Sequence, residues 1–237
     1  MSRGAWIALA AATALIIVLT RELHAAARVW TAVLMVPLPA LMLLQAQQLR
    51  SLDDIPRRAA YASSVFSLWL LAGATFGIAV YAGLPLPPLV TITPVRIALL
   101  TTALVAGCVA LLFLFHRLGV QETQTLRALL PQSAADKLAF IGVSITAGIC
   151  EEVIFRGFLQ QALATATGSP WIALALASGS FGVVHAYQSP TGAVRAALIG
   201  VVLGVPVVLG FGLLPSILAH ALVDVLAGIV LARWLLR

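Results

Sequence analysis

Apolar runs of about 20 residues recur along this 237-residue chain, and that length is what a helix needs to cross the ~30 Å hydrocarbon layer of a bilayer. In lipid the backbone must satisfy its own hydrogen bonds, so only helices or closed barrels can span. Barrel strands would alternate polar and apolar residues. These runs do not. With 62% hydrophobic and 9% charged residues the chain lacks the polar surface that water requires of a soluble domain. The fold class expected is therefore all-α: a polytopic transmembrane helical bundle of about eight spans.

Taken in order, the first span is expected over 5–20. Leu23-His24-Ala25-Ala26 after it has small residues that resemble a signal-peptide cleavage site. The run is long for a signal and Arg21-Glu22 interrupts it, so an uncleaved span is expected. The second span, 29–45, contains Pro37 and Pro39 as kinks. A polar loop over 47–58 leads to the third span, 60–82, which the Pro-rich turn 83–94 ends. The fourth span covers 95–115. The interlude 116–136 carries Leu126, Leu129 and Leu130 on one face and is expected to lie along the membrane surface. Ser133 with Asp136 three residues on makes a capping box for the fifth span, 136–164. The sixth (171–186), the seventh (193–209) and the eighth (213–235) follow. Gly200 and Gly204 in the seventh have the spacing of a close helix contact, and Pro206 is a bend. Two regions result: 1–132, four spans and the interfacial segment, and 133–237, a four-span core.

The net charge of +6 does not point to nucleic acid, because the cations stand singly between spans instead of forming a patch. Most of them fall on one side of an eight-span bundle, with Arg21, Arg28 and Arg96 on the other. By the positive-inside rule both termini are expected in the cytoplasm. Cys108 and Cys150 both lie in apolar runs, where a cysteine is ordinarily a small buried side chain.

The acids of the last 100 residues or so are few and oddly placed. After Lys137 there are Glu151, Glu152 and Asp224 alone, all inside spans. A charge at the bilayer centre costs about 2.5 to 3.5 kcal/mol on insertion scales, so such residues face one another or a wet cavity and mark function. Glu152 and Arg156 are four apart on a helix and can pair, while Glu151 points elsewhere. His185 ends the sixth span, and His220 and Asp224 share a face of the eighth. Small residues beside them, Ala147, Gly148, Ser178, Gly179, Gly182, Ala219 and Ala221, would let the three helices approach. Depth is at odds with this convergence. The span bounds place Glu151 mid-membrane, His185 near the cytoplasmic end and His220 toward the opposite one.

Glu151-Glu152 with Arg156, Phe181 with His185, and His220 with Asp224, in that order on three separate apolar spans, resemble the EExxxR, FxxxH and HxxxN/D motifs of the CAAX-protease and bacteriocin-processing (CPBP, or Abi) intramembrane endopeptidases. The likeness covers roughly 126–235. It implies hydrolysis of a peptide bond in a membrane-associated protein or peptide, with a lipidated or hydrophobic C-terminal segment among the expected substrates. The implied roles are Glu151 as general base, His185 helping to hold the water, and His220 facing the oxyanion with Asp224 beside it. Glu152, Arg156 and Phe181 support them. Many members carry Asn where this chain has Asp224; Asn can donate to an oxyanion, whereas ionised Asp only accepts. Members are described both as metalloproteases and as metal-independent glutamic proteases. A divalent site would use Glu151, His185, His220 and Asp224; Glu and His hydrolyse without one, so no cofactor is expected. The implied setting is the bacterial inner membrane.

Other protease signatures fit worse. The chain has no HExxH, Gly142-Val143-Ser144 continues into Ile145 instead of a small residue, and no Gly-Asp pair of the presenilin type occurs. Two readings outside proteolysis use the same residues: a proton-coupled transporter with a carboxylate and histidine relay, and a non-catalytic membrane binding or immunity protein. A transporter would show paired halves, and the sequence has none.

Overall fold

A computed structural model describes residues 2–49, 56–120 and 123–235 of the chain. Among them the order is α1 (Arg3–Leu19), α2 (Ala25–Met35), α3 (Pro37–Leu49), α4 (Arg57–Tyr81), α5 (Pro94–Arg117), α6 (Gln124–Leu129), α7 (Ala134–Glu152), a π-helical segment Val153–Leu159, α8 (Gln160–Thr167), α9 (Pro170–Val184), α10 (Pro190–Val208), α11 (Leu214–Val225), a second π segment Leu226–Val230 and α12 (Ala232–Leu235). No strand occurs among the described residues. The bundle is all-helical, as the run lengths require. Among the described residues five passages are long and apolar enough to cross a bilayer: Ala25–Gln48, Arg57–Tyr81, Pro94–Arg117, Ala134–Thr167 and Pro190–Val208. Arg3–Leu19, Pro170–Val184 and Leu214–Val230 are apolar but shorter. The eight expected runs are thus all helices, three of them shorter than the other five. The chain is an integral membrane protein.

Local chemistry explains several boundaries. Pro37 has no N–H to continue α2, and the chain breaks at Val36 before α3 resumes. The capping box at α7 forms as expected, with Asp136 N–H donating to Ser133 Oγ at 3.1 Å and Ser133 N–H to Asp136 at 3.1 Å. Arg58 donates to the same carboxylate at 2.9 Å, joining α4 to the start of α7. Arg57 donates to the Ala128 carbonyl at 2.9 Å and the Tyr61 hydroxyl to that of Leu129, so α6 is held against α4 at its C-terminal end. Thr125 is the buried face of α6, and Leu126, Leu129 and Leu130 are half-buried.

The core joins both halves of the sequence. Leu23, Ala27, Leu34, Ala72 and Ala79 share one apolar cluster with Cys150, Ile154, Phe158, Leu159, Ala162, Ala173 and Phe181. Both cysteines are free and buried in such clusters. At the opposite end the turn after α10 docks on the Pro-rich loop, where Leu213 and Leu214 N–H groups donate to the Pro88 and Leu89 carbonyls at 3.1 and 3.0 Å. Gly212 is required there. Its φ is +80°, and a Cβ would lie 2.9 Å from each of those carbonyl oxygens.

Two seams bring the polar helices together. Along α9 and α10, added carbons would collide: at Gly182 with the Ala193 carbonyl at 2.6 Å, and at Gly204 with Leu174 at 2.3 Å. Ser178 packs on Gly200. Between α7 and α11, Gly148 lies so close that a Cβ would be 2.9 Å from both Ala221 N and the Ile217 carbonyl. Most of the small residues expected at these contacts are there, with one exception. Gly179 is exposed and touches nothing, because it sits on the outer side of α9.

The depth conflict disappears in the helix lengths. Ala134–Thr167 is a continuous rod of 34 residues, about 50 Å long, and α9 has 15 residues, about 22 Å. Both share the turn at Gly168, whose φ of +67° caps α8. Helix α9 therefore runs back from the far end of the rod and stops at the level of Glu151. Helix α11 starts level with Gly157, against which Leu213 packs, and reaches His220 two turns later at the same depth.

Candidate active site

Glu151 and Glu152 close α7, and the helix widens to π geometry directly after them. Segments of this kind are rare and frequent at functional sites, because the i to i+5 pattern turns side chains off the regular face. The expected spacing of Glu152 and Arg156 still pairs them. Arg156 Nη1 donates to Glu152 Oε1 at 2.9 Å, and both side chains are almost wholly buried, at 2% and 0% exposure. Arg156 also donates from Nη2 to the Gly200 carbonyl at 3.1 Å and lies 4.6 Å above the Phe181 ring. Gln161 Nε2 takes up the Arg156 carbonyl at 3.2 Å within the widened turn.

Glu152 does more than the sequence suggests. The same Oε1 accepts from His220 Nδ1 at 2.8 Å. A carboxylate only accepts, so this bond puts the proton on Nδ1 and turns Nε2 into the site. His185, the C-cap of α9, is oriented in a parallel way. Its Nδ1 is 2.8 Å from the Phe181 carbonyl, which also only accepts, so Nε2 is the free nitrogen. Phe181 lies against both rings, tilted to His185 at a centroid distance of 4.4 Å and edge-on to His220 at 5.9 Å.

Both free nitrogens point at one oxygen. Glu151 Oε2 lies 3.7 Å from His185 Nε2 and 3.8 Å from His220 Nε2. Asp224 Oδ2 lies 3.8 Å from the same His220 nitrogen. These separations are too long for direct hydrogen bonds and suit a water at about 2.8 Å from each partner. Among the described residues Glu151 Oε2 is buried and accepts from no protein group. Asp224 is 37% exposed, so the group opens on that side. Every residue singled out in the sequence, namely Glu151, Glu152, Arg156, Phe181, His185, His220 and Asp224, is in this one constellation. The link from Glu152 to His220 was hidden in the sequence, since nothing in local spacing relates residues on different helices.

The donor set does not suit a metal ion as it stands. Among the described residues no three His, Cys, Asp or Glu side chains are gathered closely enough to hold one. Ligands about 2.0 Å from one zinc ion sit roughly 3.3 Å apart, while the nearest pairs here are 3.7 to 3.8 Å apart and Asp224 pairs with His220 alone among them. No step below passes through a metal.

No curated protein and no solved structure matches the chain. A family model does match, described as type II CAAX prenyl endopeptidase Rce1-like, over residues 133–226. That interval runs from the Ser133 cap of α7 to the start of the second π segment, and it contains the whole constellation. Residues 133–226 are thus similar to the Rce1-like type II CAAX prenyl endopeptidases, over the part of the chain that holds the constellation.

Proposed function

We propose that the chain is an intramembrane endopeptidase in which Glu151 activates a water molecule against a peptide bond. The observation that carries this reading is the convergence of two histidine nitrogens, each fixed by a bond on its far side, on one unpartnered carboxylate oxygen. Such preorganised groups act without reorganising as charge develops.

Water sits between Glu151 Oε2 and His185 Nε2, donating one hydrogen to each acceptor. Its oxygen attacks the scissile carbonyl carbon, its proton passes to Glu151, and the carbonyl electron pair moves onto the oxygen. His220 in its cationic form donates from Nδ1 to Glu152 and from Nε2 to that oxyanion. When the tetrahedral intermediate collapses, the carbon–nitrogen bond breaks and the leaving amine takes the proton held by Glu151. Glu152 and Arg156 hold His220 in place, and the reaction needs no metal. Residues 133–237 carry the chemistry, and 1–132 form the scaffold around it.

The substrate class is a membrane-associated protein or peptide with a lipidated or hydrophobic C-terminal segment, presented from the lipid. The loop after α9 faces α6, where Thr123 Oγ1 donates to the Tyr187 carbonyl at 3.4 Å. On the positive-inside reading the mouth then opens on the side of the termini, in the cytoplasm, and the family resemblance implies a bacterial inner membrane.

The test is cleavage of an internally quenched peptide carrying a prenylated cysteine near its C-terminus, by purified protein in proteoliposomes. Wild type should cleave it, Glu151→Gln should be at least 10³-fold slower while still inserting and folding, and a chelator should change nothing. Full activity of Glu151→Gln removes it from the role of base. A proton flux that survives that variant's loss of cleavage would favour the transporter reading instead.

A further inference from the structure

Tyr187 lies two residues after His185 in the loop joining α9 to α10, outside every motif discussed above. Its ring centroid is 6.0 Å from that of His185. The residue is held at two points: its carbonyl accepts from Thr123, and its phenol oxygen accepts from Gln188 Nε2 at 3.4 Å. Gln188 is itself oriented by the buried Arg195, whose Nη2 donates to Gln188 Oε1 at 3.1 Å. With the phenol oxygen serving as acceptor, its own proton remains to be given. Burial, with Glu151 and Asp224 within electrostatic reach, pushes the phenol up to about 12, so that proton stays in place.

The site as described is short of donors. His220 Nε2 is one, and the carboxylate at Asp224 where many relatives have an amide can only accept. A developing oxyanion beside the Asp224 carboxylate would have His220 as its one donor among the groups described so far.

We propose that Tyr187 is a catalytic residue whose hydroxyl donates a hydrogen bond to the scissile carbonyl oxygen as it becomes negative, beside His220 and in place of the amide that Asp224 lacks. The inference rests on the hydrolase reading above. Tyrosine keeps its proton throughout; the proton that moves goes from water to Glu151 to the leaving amine.

Tyr187→Phe, assayed with the same prenylated peptide, should lower kcat about 10²-fold to 10³-fold with KM within twofold, the loss that follows removal of one oxyanion donor. A phosphinate analogue of that peptide, which carries the negative oxygens of the tetrahedral state, should lose affinity for the variant by a similar factor. Melting temperature should stay unchanged. A kcat within twofold of wild type overturns the proposal, and so does a loss shared equally by KM, analogue binding and melting temperature. If Tyr187→Phe does not fold, Gln188→Met decides. It keeps the phenol and removes its orienting donor: a drop of about tenfold in kcat supports the role, and no drop overturns it. Glu151→Gln separates the two levels, since an inactive Glu151→Gln beside a fully active Tyr187→Phe leaves the hydrolase reading standing and removes the tyrosine alone.

Discussion

In α1 to α5 two buried threonines turn back on their own helices, Thr20 donating to the Ile16 carbonyl and Thr75 to that of Leu71, while Trp30 and Tyr61 reach across, to Thr75 and to Leu129. In α7 to α11 the buried polar groups reach across. Arg156 finds Gly200, Gln160 finds Gly204, Ser216 finds Leu203, Ser180 finds Leu34 and His220 finds Glu152. Helix α1 buries no side chain among its described residues beyond its cap, whereas the π segment after Glu152 buries nearly all of its own. Helix α1, with no buried side chain of its own, can therefore exchange apolar residues with little consequence. The second half is locked in register by bonds whose loss leaves a polar group stranded in an apolar interior. A fold that must hold four ionisable side chains to within an ångström needs the second kind of packing.

Breaking that contrast should be easiest at Arg156. Arg156→Met strands Glu152 without its cation, and removing one partner of a buried pair costs about 3 to 5 kcal/mol; a large fall in melting temperature in detergent, with loss of cleavage, is the expected result. Next is Gly148→Ala. The new carbon meets backbone atoms of α11 at 2.9 Å, so the helices must part at a cost of about 1 to 3 kcal/mol. Because that seam sets the distance from Glu151 to His220, kcat should fall further than stability does. In the other half Thr75→Val removes the acceptor for Trp30 Nε1, 3.0 Å away. About 1 kcal/mol of stability should go with cleavage unchanged. The smallest effect is expected at Phe66, 71% exposed on α4. Phe66→Leu should stay within about 0.5 kcal/mol and leave kcat unaltered. Should Thr75→Val slow cleavage more than Gly148→Ala does, the division of labour between the halves is wrong.

The spans, the cap at Ser133 and the Gly200 and Gly204 contact were legible in the sequence, because each depends on residues near one another in the chain. Lipid makes the span pattern unusually plain, since every interruption of apolarity carries a cost. The site residues stood out for the same reason. What stayed hidden depends on partners brought by other helices. Helical spacing paired Glu152 with Arg156, and only the packing of α11 on Gly148 reveals that Glu152 also grips His220. Composition does not mark the π geometry after Glu152, which contains ordinary helix formers and one glycine. Gly179 was expected at a seam on its smallness alone, but α9 turns it outward. That His185 lies level with Glu151 was hidden because a helix of 15 residues looks like a complete crossing until its neighbour of 34 is set beside it.

The shortness of α9 bears on the surrounding lipid as well as on the protein. A 22 Å column of apolar surface is less than the ~30 Å that acyl chains prefer, and a bilayer answers such a mismatch by thinning around it. The polar loop at the foot of α9 then meets headgroups and water at a level where tails would otherwise lie. For the proposed peptidase such a dent would supply water and draw in the ends of membrane-held chains, so catalytic rate should vary with acyl-chain length in the host membrane.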